Sequence, residues 1–298
     1  MIRPTNQRVW FITGTSTGFG KYLVISALSR GDCVIATVRK LDDFTIKNVD
    51  QSRLHVITLD VTDSEESIRS KVDAAAGIWG RIDVLVNNAG YGVKTVIEEG
   101  GSKVAMTQFQ TNFFGLINVT NAVLPYMRQR RSGTLVVMGS RLVWQAHGPT
   151  EAYYMASKAA VHAVTECYRA ELAEFGIRVL LVAPGGFRTN INKEITYEVD
   201  RPIPSYEPLK QNVMKKLGGL FANAKGDPVK GMELVVDVVR GEGKAVGKEF
   251  PTTLLLGNAA YVHAQLHCER LSKTMAEWED VSRNLDFEDD EGYAAESP

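Results

Sequence analysis

Thr13-Gly14-Thr15-Ser16-Thr17-Gly18-Phe19-Gly20 follows the apolar run Val9-Trp10-Phe11-Ile12 and opens onto a stretch, 18–30, that reads as a helix. Gly14 permits a sharp turn after the strand, and Gly18 lets backbone amides of Thr15, Ser16, Thr17 and Phe19 approach a pyrophosphate. Gly20 allows the helix to sit close to the sheet. The helix amino end then adds oriented N–H groups and a partial positive charge of about half an elementary unit. The spacing is GxxxGxG, not the common GxGxxG. Taken alone, the same glycines could serve only as a flexible packing turn.

Outward from that loop the chain alternates. Val-, Ile- and Leu-rich runs at 8–13, 33–38, 54–59, 83–87, 134–139, 178–183 and 253–256 lack polar alternation, as strands covered on both faces do. Helical patterns fill 18–30, 64–78, 102–130, 151–175 and 228–240. Repeated strand–helix–strand units predict right-handed crossovers and an α/β fold: a Rossmann-type doubly wound sheet of about seven parallel strands with helices on both faces. Asp63 or Ser64 is placed to cap the helix carrying Glu65 and Glu66, Asp227 precedes Pro228 at a helix start, and Gly31 and Gly176 stop two helices just before strands. Residues 186–226 carry Pro202, Pro204 and Pro208 among aromatic and aliphatic residues and read as an irregular lid over the carboxyl ends of the strands. Its apolar members are Ile191, Ile195, Tyr197, Ile203, Tyr206 and Leu209. The stretch 286–298 is acidic, poor in large apolar residues and expected to be disordered, leaving 1–285 as one domain.

The bulk numbers exclude several function classes. A net charge of -1 provides no basic field for nucleic acid or an anionic membrane. The 3 cysteines are scattered and odd in number, against a disulfide framework or a structural zinc site. His263 and His267 stand one helical turn apart without an accompanying carboxylate or thiol motif, so no metal is expected. No uncharged apolar stretch approaches the roughly 20 residues of a membrane helix, and the polar first residues leave no room for a signal peptide. A reducing, cytoplasmic setting is the expectation.

The end of the second strand selects the cofactor. Ala36-Thr37-Val38 runs into Arg39-Lys40, with no carboxylate at the strand tip where one would bind a ribose 2′-hydroxyl. A guanidinium grips a 2′-phosphate bidentately, which favours NADP(H) over NAD(H).

Five features then fall in order: Thr13-Gly14-(x)3-Gly18-x-Gly20, Asn87-Asn88-Ala89-Gly90, Asn112, Ser140 and Tyr154-(x)3-Lys158, with Pro184-Gly185 after the sixth strand. Together they resemble the short-chain dehydrogenase/reductase superfamily in its shorter, non-extended branch. The resemblance is close over 7–190 and looser to about 282, through Asp227-Pro228 and Leu254-Leu255-Leu256-Gly257. It implies that Asp60 meets the adenine amine with Val61 beside it, and that Asn88, Ala89 and Gly90 line the cofactor. Pro184, Gly185, Phe187 and Thr189 would flank the nicotinamide. Asn112, Ser140, Tyr154 and Lys158 would form a catalytic tetrad in which Asn112 holds a water linking Lys158 to solvent, and Tyr154 and Lys158 would also touch the cofactor. It further implies a homodimer or homotetramer through 102–130 and 151–175. The chain departs from the pattern in Arg141-Leu142-Val143-Trp144 after Ser140, which alters the wall of the substrate pocket.

The chemistry of the pair is elementary. Tyr154 and Lys158 are four apart on one helix face. A phenol with a pKa near ~10 is a poor base at neutral pH. An ammonium about 4–5 Å away, at an effective dielectric of about 20, favours phenolate by roughly 3–4 kcal/mol before desolvation opposes it. Tyr153 competes, but Ser157 rather than a lysine lies four residues beyond it. Ser140 would hold a substrate carbonyl while Tyr154 protonates the developing alkoxide. His147, Trp144 and Tyr91 are pocket-lining candidates. The expected activity is hydride transfer between nicotinamide and a largely apolar small-molecule ketone or secondary alcohol. The alternative is a silent NADPH-binding regulator on the same fold, which would typically have lost the tyrosine or the lysine.

Overall fold

The computed structural model describes residues 7–145, 148–189, 197–222 and 224–285. Seven strands, β1 Val9–Ile12, β2 Cys33–Val38, β3 Leu54–Thr58, β4 Val84–Asn87, β5 Gly133–Met138, β6 Ile177–Pro184 and β7 Thr253–Leu256, form one sheet in the order β3-β2-β1-β4-β5-β6-β7. Every pairing is parallel. The seven apolar runs read from the sequence are these seven strands.

Successive residues of the central strands serve two cores. Phe11, Ile35, Leu85, Val137 and Leu181 point to a face covered by α2 (Glu65–Trp79), α4 (Gly115–Arg130) and α5 (Ala152–Leu172). Trp10, Val34, Val86, Val136 and Val182 point the other way, under α1 (Gly18–Ser29) and α7 (Pro228–Arg240). Burial on both faces explains the absence of polar alternation.

The predicted helix ends hold locally. Ser64 Oγ accepts from Ser67 N and caps α2, so Ser64 rather than Asp63 does this work. Asp227 accepts from Val229 N and Lys230 N with Pro228 at the first helical position. Gly31 (φ 84°) and Gly176 (φ 64°) take the left-handed conformation that ends their helices.

The stretch 102–130 is not one helix. α3 runs Ile97–Phe109, with Gly101 outside helical geometry, and is joined to α4 by a single π-turn, Gln110–Phe114. The segment 186–226 is not irregular throughout either, because α6 occupies Glu207–Ala222. Pro208 stands in its first turn, where a missing N–H costs nothing, so the proline marked a helix start and not a break. A last helix, α8, spans Asn258–Ser282. Ile191, Ile195, His147 and the acidic stretch 286–298 lie outside the described residues. No helix among the described residues is long and apolar enough to cross a membrane.

Candidate active site

The carboxyl ends of β1, β4 and β5 converge on one edge of the sheet, and the loops leaving them build the site. The turn after β1 is stitched to the end of β4. Thr13 Oγ1 accepts from Asn88 N and Ala89 N, both at 2.9 Å, while Asn88 Nδ2 donates to Thr13 O and Gly14 O, both at 2.9 Å. Thr15 reaches the other way, its N and Oγ1 each donating to Thr37 O at 3.0 Å. Two glycines are obligatory here. A Cβ on Gly14 (φ 68°) would stand 2.9 Å from Ala89 Cα, and one on Gly20 would stand 2.2 Å from Gly14 O.

Gly18 differs: at φ 56° it has only Thr189 side-chain carbons nearby, at 3.8 and 3.9 Å from a built Cβ. Thr17 makes no side-chain cap to α1, and no acidic residue stands in the first turn. The amino end of α1 therefore leaves its N–H donors without a side-chain cap from Thr17 and with open space at Gly18. Phe19 and Phe187 meet edge to face at 5.3 Å. Thr189 N donates to Phe187 O at 3.0 Å, and Gly185 N donates to Leu256 O at 2.8 Å, which holds the Pro184-Gly185 turn against β7.

Arg39 is exposed at the end of β2. Asp60 at the end of β3 accepts from Thr62 N at 2.9 Å and Thr62 Oγ1 at 2.7 Å. Burial pulls its carboxyl up, but those bonds and the charges of Arg39 and Lys71 bring it net below the usual carboxylate range. Val61 is buried against α4, where a Cβ on Gly115 would stand 2.7 Å from Val61 O.

Asn112 lies in the π-turn and is buried. Its Oδ1 accepts from Tyr91 N at 3.1 Å, and its Nδ2 donates to Tyr91 O at 2.9 Å and Ser157 Oγ at 3.1 Å. A Cβ on Gly90 would stand 3.1 Å from Asn112 Oδ1 and 3.8 Å from Lys158 Nζ. Lys158 is buried, and its Nζ donates to Met138 O at 2.6 Å. Ser140 stands beside Tyr154, where its hydroxyl favours the phenolate. Asn112, Ser140, Tyr154 and Lys158 thus gather around the Asn88-Ala89-Gly90 turn. Tyr153 turns away and donates to Ile97 O at 2.8 Å.

The electrostatics differ from the sequence expectation. Burial pushes the Tyr154 phenol above its ordinary value; the Ser140 hydroxyl and the Arg141 cation act against this, and Glu151 adds to it. Lys158 is itself brought down to about 8 by burial. Two groups taken out of water together lose more charge stabilisation than the ammonium returns to the phenol, and the cation that favours phenolate here is Arg141.

Two neighbours, His162 and Gly92, escaped the sequence reading, and Arg141 was read there only as pocket wall. His162 Nε2 accepts from Ser140 N at 3.2 Å, and burial with the nearby Lys158 holds it near pKa 4, so it is neutral. Its signal was available, since Tyr154, Lys158 and His162 follow one another at four-residue spacing on α5. Trp144 stacks edge-on to His162 at 5.4 Å. Gly92 leaves room for the Tyr154 ring, 3.2 Å from a built Cβ. Arg141 donates to Gln145 Oε1 at 3.2 Å and contacts His263 Nδ1 at 2.8 Å, tying α8 to the turn after Ser140.

A family model described as short chain dehydrogenase matches residues 8–200. The chain belongs to that family. An oxidoreductase of Botryotinia fuckeliana is 31% identical to this short-chain dehydrogenase over 278 residues, 92% of this chain and 98% of that one. A 3-ketodihydrosphingosine reductase of Bacteroides thetaiotaomicron is 38% identical over 183 residues, 61% of this chain and 65% of its own. Among solved structures, a short-chain dehydrogenase from Streptomyces avermitilis shares 32% identity with a TM-score of 0.79, over 94% of this chain and 100% of that one. Another from Burkholderia cenocepacia, solved in complex with NADP, shares 25% identity with a TM-score of 0.68, over 91% and 97%.

Proposed function

We propose that this short-chain dehydrogenase is an NADP(H)-dependent carbonyl reductase or secondary-alcohol dehydrogenase with Tyr154 as its general acid and base. The observation that carries the reading is Ser140 beside the Tyr154 phenol, with the buried Lys158 ammonium one turn further along α5 at the Gly90 turn. The open space at Gly18 would take the pyrophosphate, with Thr15, Ser16, Thr17 and Phe19 around it. Arg39 would take the 2′-phosphate and Asp60 the adenine amine. The solved NADP complex of the Burkholderia relative supports the same cofactor.

When bound, the nicotinamide supplies or accepts the hydride. Ser140 Oγ donates to the substrate oxygen and fixes it beside the phenol. Tyr154 gives its proton to that oxygen in reduction and takes it back in oxidation. Lys158, at about 8, stands near its own titration point and replenishes the phenol without a large energy step. Asn112 pins the backbone at Tyr91, keeping the loop under the reacting groups.

The substrate would lie under the lid segment. Tyr197, Ile203, Tyr206 and Leu209 belong to its described part, and three ties hold it to the body. Ile203 N donates to Glu99 Oε1 at 2.8 Å, Lys210 Nζ bonds the same oxygen at 2.9 Å, and Tyr206 OH donates to Glu98 Oε2 at 2.8 Å. A medium-sized, largely apolar ketone or alcohol suits these residues. The exposed Met106 and Phe114 support a homodimer or homotetramer through α3, α4 and α5.

A carbonyl panel followed by NADPH and NADH absorbance tests the reading with wild type, Tyr154→Phe and Arg39→Ala. NADPH should be preferred, Arg39→Ala should erode that preference, and Tyr154→Phe should abolish turnover while cofactor binding stays nearly intact. Normal turnover by the phenylalanine variant would sink the acid–base assignment.

A further inference from the structure

α8 leaves the body of the protein part-way along its length. Ala260 is buried and His263, Ala264 and His267 are half-covered, but every residue from Cys268 to Ser282 is exposed. At 1.5 Å per residue, about 22 Å of helix projects. An isolated helix of that length is marginal in water, so its persistence calls for a partner surface.

The projecting part is not uniformly polar. The face that meets the body through Ala260, Ala264 and His267 continues outward as Leu271, Met275 and Trp278, in steps of three or four that keep it on one side of the helix. Their exposures are 55%, 64% and 58%, with Val281 at 64% beside them. The remaining sides carry ion pairs and hydrogen bonds within the helix, Lys273–Glu277, Arg283–Glu279 and Gln265–Glu269.

Charge selects the occupant. Arg270 and Glu277, seven residues apart, lie along one edge of the apolar stripe. When two copies of such a helix run antiparallel about a point between Lys273 and Thr274, that edge faces itself reversed. Arg270 of each copy then meets the partner's Glu277, giving two symmetric ion pairs at the rims of the stripe. An anionic membrane is disfavoured, because Glu277, Glu279 and Asp280 cluster at the far end. A two-fold pair of these stripes buries on the order of 1,000 Å², the lower edge of a specific interface.

We propose that α8 is a self-association surface, pairing antiparallel with α8 of a second copy of this chain through Leu271, Met275 and Trp278. It is separate from the α3, α4 and α5 surface, so it adds one association step to whatever assembly that surface makes. Sedimentation velocity across a concentration series, on the full chain, reads the result. Trp278→Asp, a change on an exposed side chain, should halve the mass of the wild-type assembly while leaving the far-ultraviolet dichroism of the body unchanged. Arg270→Glu and Glu277→Arg should each weaken association at least tenfold, and the double exchange should restore it. Equal masses for wild type and Trp278→Asp would overturn the proposal, as would a double exchange no better than either single one. A wild-type chain that gains no mass with concentration but floats with phosphatidylcholine vesicles would overturn it in favour of a lipid surface.

Discussion

Replacing Lys158 by methionine should remove a pH dependence from the stability of the protein while abolishing turnover. The side chain is buried, its Nζ rests on Met138 O at 2.6 Å, and burial brings the ammonium from the usual 10.5 to about 8. The folded chain therefore releases this proton first. Between about 8 and 10.5 the unfolded chain holds one more proton than the folded chain, so stability rises with pH across that window and is at its lowest below it. A gap of about 2.5 pH units at 1.36 kcal/mol each amounts to about 3 kcal/mol. Methionine matches the stem of lysine without the charge, and it leaves Met138 O without this donor, a cost of about 1–3 kcal/mol. At neutral pH the two effects nearly cancel. The signature is the difference between the two proteins, because other titrating groups are common to both. Urea unfolding from pH 7 to pH 10 should show the wild type gaining about 2–3 kcal/mol over Lys158→Met. A difference that stays flat with pH would show that the ammonium is solvated and refute the burial on which this rests.

Further outcomes follow from other neighbours. His162, held near 4 against an ordinary 6.5, stays neutral in the folded chain, so stability is lost as pH falls from about 6.5 towards 4. His162→Gln should flatten this acid limb by up to about 3 kcal/mol in the same unfolding assay. Arg141→Gln removes the cation that favours the Tyr154 phenolate, and the limb of the pH–rate profile belonging to the phenol should move to higher pH. Gly20→Ala drives a methyl into Gly14 O and should abolish cofactor binding measured by nicotinamide fluorescence. Gly77→Ala, on an exposed turn of α2 with nothing within 4 Å, should raise stability by about 0.5–1 kcal/mol.

What could be read from the chain and what could not divide along physical lines. The central strands were legible because their burial is written in unbroken apolar runs such as Val34-Ile35-Ala36 and Leu180-Leu181-Val182, while the half-exposed edge strands β3 and β7 were legible from their β-branched and aliphatic residues. Helix starts were legible where one side chain makes the cap, as at Ser64 and Asp227. α6 was hidden because Pro208 breaks a helix interior but suits a first turn, and the string of letters does not say which applies. α8 was hidden because most of its apolar residues face solvent, so no strand or core requires them. The place of His162 was written in its four-residue step beyond Lys158, but its role needed the fold, because its partner, Ser140 N, is a backbone group 22 residues away. The direction of the Tyr154 shift needed it as well, since spacing brings Lys158 near the phenol but does not reveal how thoroughly both are stripped of water.

The π-turn at Gln110–Phe114 carries an evolutionary corollary. A π-turn holds one residue more than the α-helix around it, so a deletion there would leave a continuous α-helix with intact backbone bonding. The flanking turns of α3 and α4 would stay nearly in phase, because the π-turn takes up its extra residue by unwinding, and only the residues within it would be re-aimed. Asn112 and the Tyr91 backbone it grips could not both keep their places. Such a lineage would keep a well-folded protein and lose the anchor of its loop, which makes this short segment a point where shape and activity can part company through one codon.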